Sequence, residues 1–145
     1  MMFVRPAKPS DAPVLAAILS DWIDETEWMP RLRAREADAR FVADMVHGGG
    51  VDVLDRDGAC VGFLQETEGH VSALYLAPTA RGRSGGKLLL DAAKARSDRL
   101  DLWTFVANEG ARRFYRREGF VEIEQSCDND ERLPDVRMVW EREAG

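Results

Sequence analysis

The stretch LWTFVANEGARRFYRREGF, residues 102–120, carries the clearest structural signals in this 145-residue chain. It predicts a strand over residues 100–106, a helix over 108–118 and another strand over 120–125. The helix is well delimited, because an asparagine caps its start, a glutamate follows in its first turn and Gly119 stands just beyond its end. A strand, a helix and a strand in succession are typical of an α/β chain.

A glycine-rich loop precedes this unit. Residues 76–87, LAPTARGRSGGK, leave a predicted strand and enter a helix predicted over 86–97. The glycines let the backbone turn sharply and present successive N–H groups to an anion, while the start of a helix adds partial positive charge. Basic side chains in an otherwise acidic protein suit a pyrophosphate. The predicted anion-binding residues are Arg81, Gly82, Arg83, Ser84, Gly85, Gly86 and Lys87. The alternative is an ordinary strand-to-helix connection whose basic side chains are solvated.

Two familiar nucleotide-binding loops do not fit these glycines. A Walker A loop needs a glycine five residues before its Gly-Lys pair and a Ser or Thr after it, where this chain has Arg81 and Leu88. A dinucleotide fingerprint needs the spacing GxGxxG, which glycines 82, 85 and 86 lack. Both classes of nucleotide-binding protein are therefore excluded.

The rest of the chain alternates strands and helices around one predicted core. Further strands are predicted over 3–8, 51–56, 59–66 and 70–76, and a closing strand with Val136, Met138 and Trp140 on its buried face. One further helix is predicted from Ser10 or Asp11 through Ile23, and its apolar face carries Val14, Leu15, Ile18, Leu19 and Trp22. Another helix is predicted over 36–47, with a buried face of Phe41, Val42, Met45 and Val46. The strand–helix alternation over 70–125 favours parallel pairing. Without repeats or an interdomain linker, residues 1–145 are expected to form one domain.

Composition limits the classes of partner. The chain is 45% apolar and 32% charged, and no run approaches the ~20 apolar residues of a membrane span, so we expect a soluble protein. A net charge of -6 argues against nucleic acid as the main partner and fits a cationic one better. Cys60 and Cys127 stand outside any metal-binding pattern, so we expect free thiols and no metal. The N-terminus does not resemble a signal peptide, which predicts the cytoplasm.

Two of these stretches resemble the motifs of a known family. Residues 108–120 match the core Asn-x-x-Ala-x-x-Phe-Tyr-x-x-x-Gly-Phe of motif B of the GNAT (GCN5-related N-acetyltransferase) superfamily at every position. Residues 78–90 resemble motif A, whose loop runs Arg/Gln-x-x-Gly-x-Gly/Ala: Arg81 and Gly86 match, and Ser84 replaces the usual first glycine. The resemblance implies a mixed α+β sheet in the order strand, two helices, three strands, helix, strand, helix, two strands.

This resemblance also implies a function. The family moves the acetyl group of acetyl-coenzyme A directly to an acceptor amine in a ternary complex. The backbone of Leu74 and Leu76 would pair with the pantetheine arm, the loop 81–87 would wrap the pyrophosphate, and Asn108 would contact the cofactor. Tyr115 would be the general acid that protonates the leaving thiolate, since a phenol's reference pKa of about 10 lies within ~2 units of that of a thiol.

The acceptor side is less defined. In the family the first two helices, their connection and the region of the last two strands wall the acceptor pocket. Here the connection, DWIDETEWMP at 21–30, mixes four carboxylates with two tryptophans, which could attract and stack a cationic amine. The candidate acceptor-binding residues are Trp22, Glu27, Trp28, Glu66 and His70, of which Glu27, Glu66 or His70 could be the general base. The alternative is a solvated loop with both tryptophans in the core.

Other functions stay open at this point. A non-catalytic acetyl-CoA-binding sensor or subunit would share the fold, and so would an acyltransferase that uses a longer acyl-CoA. The acceptor could be a small amine, a lysine side chain or a protein N-terminus. Dimers are common in the family, but no segment here requires one.

Overall fold

A seven-stranded mixed sheet organises the chain in a computed structural model, which describes residues 1–143. Its strands are β1 (Met2–Pro6), β2 (Val51–Arg56), β3 (Ala59–Thr67), β4 (His70–Leu76), β5 (Arg99–Phe105), β6 (Val121–Ser126) and β7 (Asp135–Glu141). The helices are α1 (Ala12–Glu25), α2 (Arg35–Gly48), α3 (Gly85–Ala95) and α4 (Glu109–Arg117), with 3-10 turns at Pro9–Asp11 and Pro78–Ala80. The predicted fold class and element order are confirmed. Among the described residues, no helix is long and apolar enough to cross a bilayer.

The ends of α4 and the β2–β3 turn show the local chemistry that sets element boundaries. The Asn108 side-chain oxygen accepts a hydrogen bond from the backbone N–H of Ala111 at 3.1 Å, which caps α4. Gly119, just beyond α4, has a φ of 95°, a conformation that glycine adopts without steric cost. Asp57 and Gly58 both have positive φ in the β2–β3 turn, as a two-residue hairpin turn requires.

The predicted parallel pairing holds for only one pair of strands. The strands lie in the order β1-β2-β3-β4-β5-β7-β6, where β4 and β5 are parallel and β7 is antiparallel to both β5 and β6. The expectation that β6 would run beside β5 was therefore wrong. The α4 crossover carries β6 one position further, and β7 returns into the gap. Local alternation of strand and helix does not report such an insertion.

Two apolar clusters fill the two faces of the sheet. One lies under α1 and α2 and includes Leu15, Val42 and Phe63. The other lies under α3 and α4 and includes Leu89, Leu90, Leu100, Leu102, Tyr115, Phe120 and Met138. The burial of three residues differs from the predicted pattern, because the neighbouring helices and strands cover their side chains differently. Val14 is 47% and Phe41 44% exposed because the buried stripes of α1 and α2 are narrower than predicted, while Val139 of β7 is buried beside its neighbour strands.

A bulge in β4 opens the sheet between β4 and β5. Gln65 of β3 pairs with Ala73 and the next residue pairs with Val71, so Ser72 is an extra residue in β4. Such a bulge bends its strand and increases the local twist. Backbone pairing between β4 and β5 accordingly covers only His70 with Asp101 and Val71 with Leu102. Beyond these pairs the two strands diverge and leave a slot.

A buried carboxylate holds the α1–α2 connection, which lies over this region. Asp38 is fully buried and accepts hydrogen bonds from Ser20 Oγ at 2.5 Å, Arg31 Nη1 at 2.8 Å and Arg33 Nε at 3.1 Å. Burial by itself raises the pKa of Asp38, but the three hydrogen bonds together lower it by more. The pKa of Asp38 therefore lies below its ordinary value. The arrangement ties residues 31–33 to both helices.

We expect Asp38→Asn to lower the free energy of unfolding by about 2–4 kcal/mol at neutral pH, because both arginines lose a buried charge partner. Since the hydrogen bonds lower the pKa of Asp38, its contribution is complete above the ordinary carboxyl pKa of about 3.9 and is lost as the pH falls toward the lower folded value. Urea unfolding at neutral and acid pH measures this. The matched control, Asp44→Asn on the exposed face of α2, should change stability by less than about 0.5 kcal/mol. A deficit for Asp38→Asn that does not shrink in acid would contradict the assignment.

Candidate active site

The slot between β4 and β5 opens into a cavity of about 920 Å³, a volume typical of small-molecule sites. The structure brings most of the predicted cofactor residues together on its wall. These are Leu74, Leu76, Arg81, Gly82, Ser84, Gly85, Gly86, Lys87 and Asn108, and Tyr115 lies there with them. Arg83 is exposed and does not line the cavity.

One wall is the free backbone edge of β4. Ala77 donates its N–H to Val61 of β3 at 2.8 Å. Because alternate residues of an antiparallel strand point their hydrogen-bonding groups to the same neighbour, Tyr75 also faces β3, whereas Leu74 and Leu76 face the slot. The carbonyl of Leu76 does accept a hydrogen bond from outside the sheet, from Arg81 Nε at 3.2 Å. An extended polar chain in the slot would therefore meet unused strand groups.

The glycine-rich loop shapes the other end of the cavity. Ser84, the residue before α3, has a φ of 65°, in the left-handed region that glycine favours. Its side chain makes no cap hydrogen bond, so the first N–H groups of α3 keep no side-chain partner there. A Cβ on Gly86 would lie 3.1 Å from the Phe114 ring, and one on Gly85 2.7 Å from Leu54. The missing side chains allow the loop to pack closely against the core, with the helix N-terminus free for an anion.

The basic side chains of the loop are engaged with nearby carboxylates. Arg81 Nη2 lies 2.6 Å from Glu25 at the end of α1, and Lys87 Nζ lies 3.2 Å from Glu118. The hydrogen bond from Lys87 to Glu118 raises the pKa of Lys87. Because Arg81 and Glu25 are both exposed, their pair is weak and a phosphate could exchange with the Glu25 carboxylate. The Glu118 side chain is largely buried, whereas Lys87 is exposed.

Tyr115 lies in the cavity wall with its phenol largely enclosed. It is 7% exposed, and its ring centroid is 5.2 Å from that of Phe114 and 5.6 Å from that of Phe120. Burial, with a smaller effect from Tyr75, raises the pKa of Tyr115 well above its ordinary value. The phenol therefore stays protonated and able to donate, but its acidity lies further from that of a thiol than the sequence suggested.

A second cavity, of about 420 Å³, adjoins the first beneath the α1–α2 connection. The two share Trp22, Arg81 and Asn108, and the second is also lined by Glu25, Thr26, Glu27 and Trp28. Aromatic rings continue from it into the slot, with centroids 5.9 Å apart for Trp22 and Trp28, 5.3 Å for Trp22 and Tyr75, and 5.6 Å for Trp28 and Phe105. Sequence reasoning missed Tyr75 and Phe105, although the alternation of β4 and β5 could have placed both on this face.

The negative charge of the connection is mostly neutralised. Three of its four carboxylates pair with arginines: Asp21 and Asp24 with Arg35, Asp24 also with Arg31, and Glu25 with Arg81. Within residues 1–143, Glu27 has no ion-pair partner. The predicted attraction for a cationic amine therefore rests on Glu27 and the aromatic rings.

The other two base candidates lie outside both cavities. Glu66 accepts hydrogen bonds from Arg96 Nε at 3.2 Å and from the Gly69 N–H at 2.9 Å, so it serves the β3–β4 turn and α3. His70 lies at the closed end of the slot, with Nδ1 3.1 Å from Asp101 Oδ1. The structure thus brings Glu27 to the second cavity and places His70 next to Val71 at the end of the first, while Glu66 adjoins neither site.

A sheet split between β4 and β5, with a glycine-rich loop and the N-terminus of α3 at one end and a capped Tyr-bearing helix on the wall, defines an acetyltransferase of the GNAT class. The chain belongs to the GNAT acetyltransferases, since the model of the Acetyltransferase (GNAT) domain matches residues 31–142. It is therefore an acetyl-CoA-dependent N-acetyltransferase.

Individual relatives agree with this assignment. The peptidyl-lysine N-acetyltransferase YiaC of Escherichia coli K12 is 30% identical over 143 residues, which covers 94% of this chain and 95% of YiaC. The solution structure of apo-form YjaB from Escherichia coli superposes with a TM-score of 0.82 at 22% identity over 99% of each chain. YncA of Salmonella typhimurium, solved with its cofactor acetyl-CoA, has a TM-score of 0.72 at 17% identity over 100% of this chain and 96% of YncA. At such identities the two structures support the fold alone.

We expect Ser84→Gly to stabilise the protein by about 0.5–1 kcal/mol, because glycine removes the steric strain of a left-handed residue and no cap hydrogen bond is lost. Acetyl-CoA binding should be kept or tightened. Thermal unfolding and calorimetric titration measure the two effects. Ser97→Gly, at a position without positive φ, is the matched control and should destabilise slightly. A loss of stability in Ser84→Gly would mean that the hydroxyl contributes more than the backbone strain.

Proposed function

We propose that this protein acetylates the ε-amine of lysine side chains in peptides or proteins, by direct transfer from acetyl-CoA. The observation that carries the proposal is the pair of adjoining cavities: a slot with free strand groups and an anion loop, joined to an aromatic pocket with one unpaired carboxylate. The printed name of YiaC, a peptidyl-lysine N-acetyltransferase, supports the choice of lysine over other amines.

The chain offers a separate contact for each part of the donor. The N–H groups at the start of α3, with Arg81, Lys87 and the glycines between them, would hold the pyrophosphate. The slot-facing backbone of Leu74 and Leu76 would pair with the pantetheine arm, and Asn108 would contact it from α4. Arg83, exposed outside the cavity, would add only long-range positive charge.

Transfer needs no covalent enzyme intermediate. Cys60 is an unsuitable nucleophile, because its Sγ lies 3.3 Å from Asp11 Oδ1 and burial, together with that hydrogen bond, raises the pKa of the thiol. Catalysis would come from holding amine and thioester together and from donating to the departing sulfur. Tyr115 is the donor we propose: its raised pKa keeps the proton in place until negative charge has developed on the sulfur.

The acceptor would enter through the second cavity. Trp22 and Trp28 present ring edges and faces against which a lysine methylene chain can pack, and a cation gains from such rings. Glu27 would draw in the ammonium group. We also propose a cytoplasmic location, since Cys60 and Cys127 are both free thiols. A homodimer is the assembly that the family resemblance allows, and it stays open here.

We expect Tyr115→Phe to lower kcat by about 10²-fold or more, the scale of a lost general acid, while the calorimetric affinity for acetyl-CoA changes little. The assay follows free-thiol release with acetyl-CoA and a lysine-containing peptide. Tyr75→Phe changes the other phenol of the slot and should cost far less, since its ring rather than its hydroxyl meets Trp22.

The same assay separates the rival functions. Acetyl-CoA binding without thiol release for any amine would favour a cofactor sensor, and faster turnover with a longer acyl-CoA would change the donor. Full activity of Tyr115→Phe would remove the phenol from the mechanism.

We expect Glu27→Gln to raise KM for a lysine peptide about five- to tenfold, with a smaller effect on kcat, because the amide no longer attracts an ammonium group. Steady-state kinetics at two ionic strengths measure this, since the difference should narrow as salt screens the charge. Glu36→Gln, exposed on α2, is the control for the change in net charge. An equal rise in KM for both variants would mean that only the overall charge matters.

A further inference from the structure

Three polar side chains form a chain across neighbouring strands at the closed end of the slot. His70 Nδ1 on β4 lies 3.1 Å from Asp101 Oδ1 on β5, and Asp101 Oδ2 accepts a hydrogen bond from Arg137 Nε on β7 at 2.9 Å. The histidine side chain is 45% exposed, whereas those of Asp101 and Arg137 are 17% and 26% exposed. The imidazole is thus the accessible end of a supported network.

This network lies next to the point where β4 and β5 separate to form the slot. The cavity wall runs from the glycine loop past Leu76 and Leu74 to Val71 and Leu102, the last pair before β4 and β5 separate. An arm that follows β4 from an anion held at the loop therefore ends near Val71. His70 is the adjacent residue of β4.

The imidazole lies on the acceptor side of the sheet. Val71 belongs to the cluster under α3 and α4, so its neighbour His70 points to the opposite face. That face also carries Asp101, the register partner of His70, and Phe105, four residues further along β5, whose ring meets Trp28. The imidazole and the aromatic pocket are thus on one side.

The hydrogen bond between His70 Nδ1 and Asp101 leaves the other ring nitrogen, Nε2, available for proton transfer. Burial raises the pKa of Asp101, but hydrogen bonds from Arg137 and His70 lower it below its ordinary value, so the carboxylate is ionised. An ionised carboxylate accepts the Nδ1–H and selects the tautomer with a lone pair on Nε2. Within residues 1–143, Nε2 has no hydrogen-bond partner.

The charges around the imidazole come from several strands. Asp101 faces it directly from β5, and Arg137 stands behind Asp101 on β7, with Glu124 as its register partner on β6. From β3 the register partner of His70 is the uncharged Thr67. Among the described residues, Asp101 is thus the charged group that contacts the imidazole.

We propose that His70 is the general base for the acceptor amine, with Asp101 and Arg137 as its positioning residues. The inference rests on the proposed function. His70 Nε2 takes one proton from the ammonium and returns it to solvent, and the nitrogen lone pair then attacks the thioester carbonyl carbon. As the N–C bond forms and the C–S bond breaks, the sulfur receives a proton from Tyr115. The nitrogen then loses its second proton to His70 Nε2, which has already returned the first to solvent. A proton from solvent restores the Tyr115 phenol, so one proton is released for each acetyl group transferred.

This assignment divides the work between the three base candidates. Glu66 is held by Arg96 and the Gly69 N–H, so it contributes to the fold of the β3–β4 turn. Glu27 lies in the second cavity beside Arg81, where it attracts the substrate. His70 alone combines a fixed tautomer with a place at the closed end of the slot.

The first test is chemical rescue, measured as thiol release with acetyl-CoA and a lysine peptide. We expect His70→Ala to lower kcat about 10²-fold or more, to leave the calorimetric affinity for acetyl-CoA unchanged, and to regain at least tenfold when free imidazole is added. His70→Gln keeps a donor toward Asp101 and should fold like the wild type, with the same loss of kcat. His47→Ala, at the other histidine of the chain, is the matched control and should keep full activity.

A second readout does not depend on turnover. Nitrogen-15 NMR of the imidazole should show a protonated Nδ1 and a bare Nε2 in the wild type, and a shift toward the other tautomer in Asp101→Asn. The same variant should lower kcat about tenfold with little change in KM.

The outcomes separate the two proposals. If the wild type turns over and the kcat of His70→Ala is within about twofold of the wild-type value, the base assignment is overturned. It is also overturned if the variant loses kcat and free imidazole does not restore it. Either result leaves the proposed function standing. A wild-type imidazole protonated on Nε2 overturns the base assignment as well. A wild type that transfers acetyl to no lysine peptide removes the proposed function, and the base assignment falls with it.

Discussion

The separation of β4 from β5 is the constraint on which the rest of this molecule depends. A sheet gains stability by pairing every backbone group of its inner strands, and here the bulge at Ser72 ends that pairing after two residue pairs. The groups of Leu74 and Leu76 are left facing a slot inside the protein. A ligand that offers alternating donors and acceptors completes the sheet, so the binding site is an interruption in the main secondary structure rather than an addition to it.

Electrostatics then orients whatever enters the slot. The chain has a net charge of -6, yet the loop at the start of α3 concentrates basic side chains beside free helix N–H groups. Arg81 pairs with Glu25 and Lys87 with Glu118. The Arg81–Glu25 pair is exposed on both sides and is therefore weak, so it would compete little with an anion. The Arg81–Glu25 pair also lies where the two cavities adjoin.

The acceptor side combines weak general attraction with a more specific arrangement. Most carboxylates of the α1–α2 connection hold that segment in place through arginines, and Asp38 anchors it from the core. Within residues 1–143, Glu27 is thereby the carboxylate of this connection without an ion-pair partner, and it lines the second cavity with the two tryptophans. The His70–Asp101 pair lies where β4 and β5 are still joined by backbone pairing. A base held there can be positioned more accurately than one on a loop.

Local chemistry in the sequence determined the helix ends, the turns, the anion loop and the resemblance to the GNAT motifs, because caps such as Asn108 and glycines such as Gly119 act over a few residues. Only the tertiary structure decided that β7 lies between β5 and β6, that Glu66 is engaged by Arg96, and that Tyr75 and Phe105 meet the tryptophans. Each of these depends on which distant strands become neighbours. Such pairings follow from packing the whole sheet, and no short stretch of sequence carries that information.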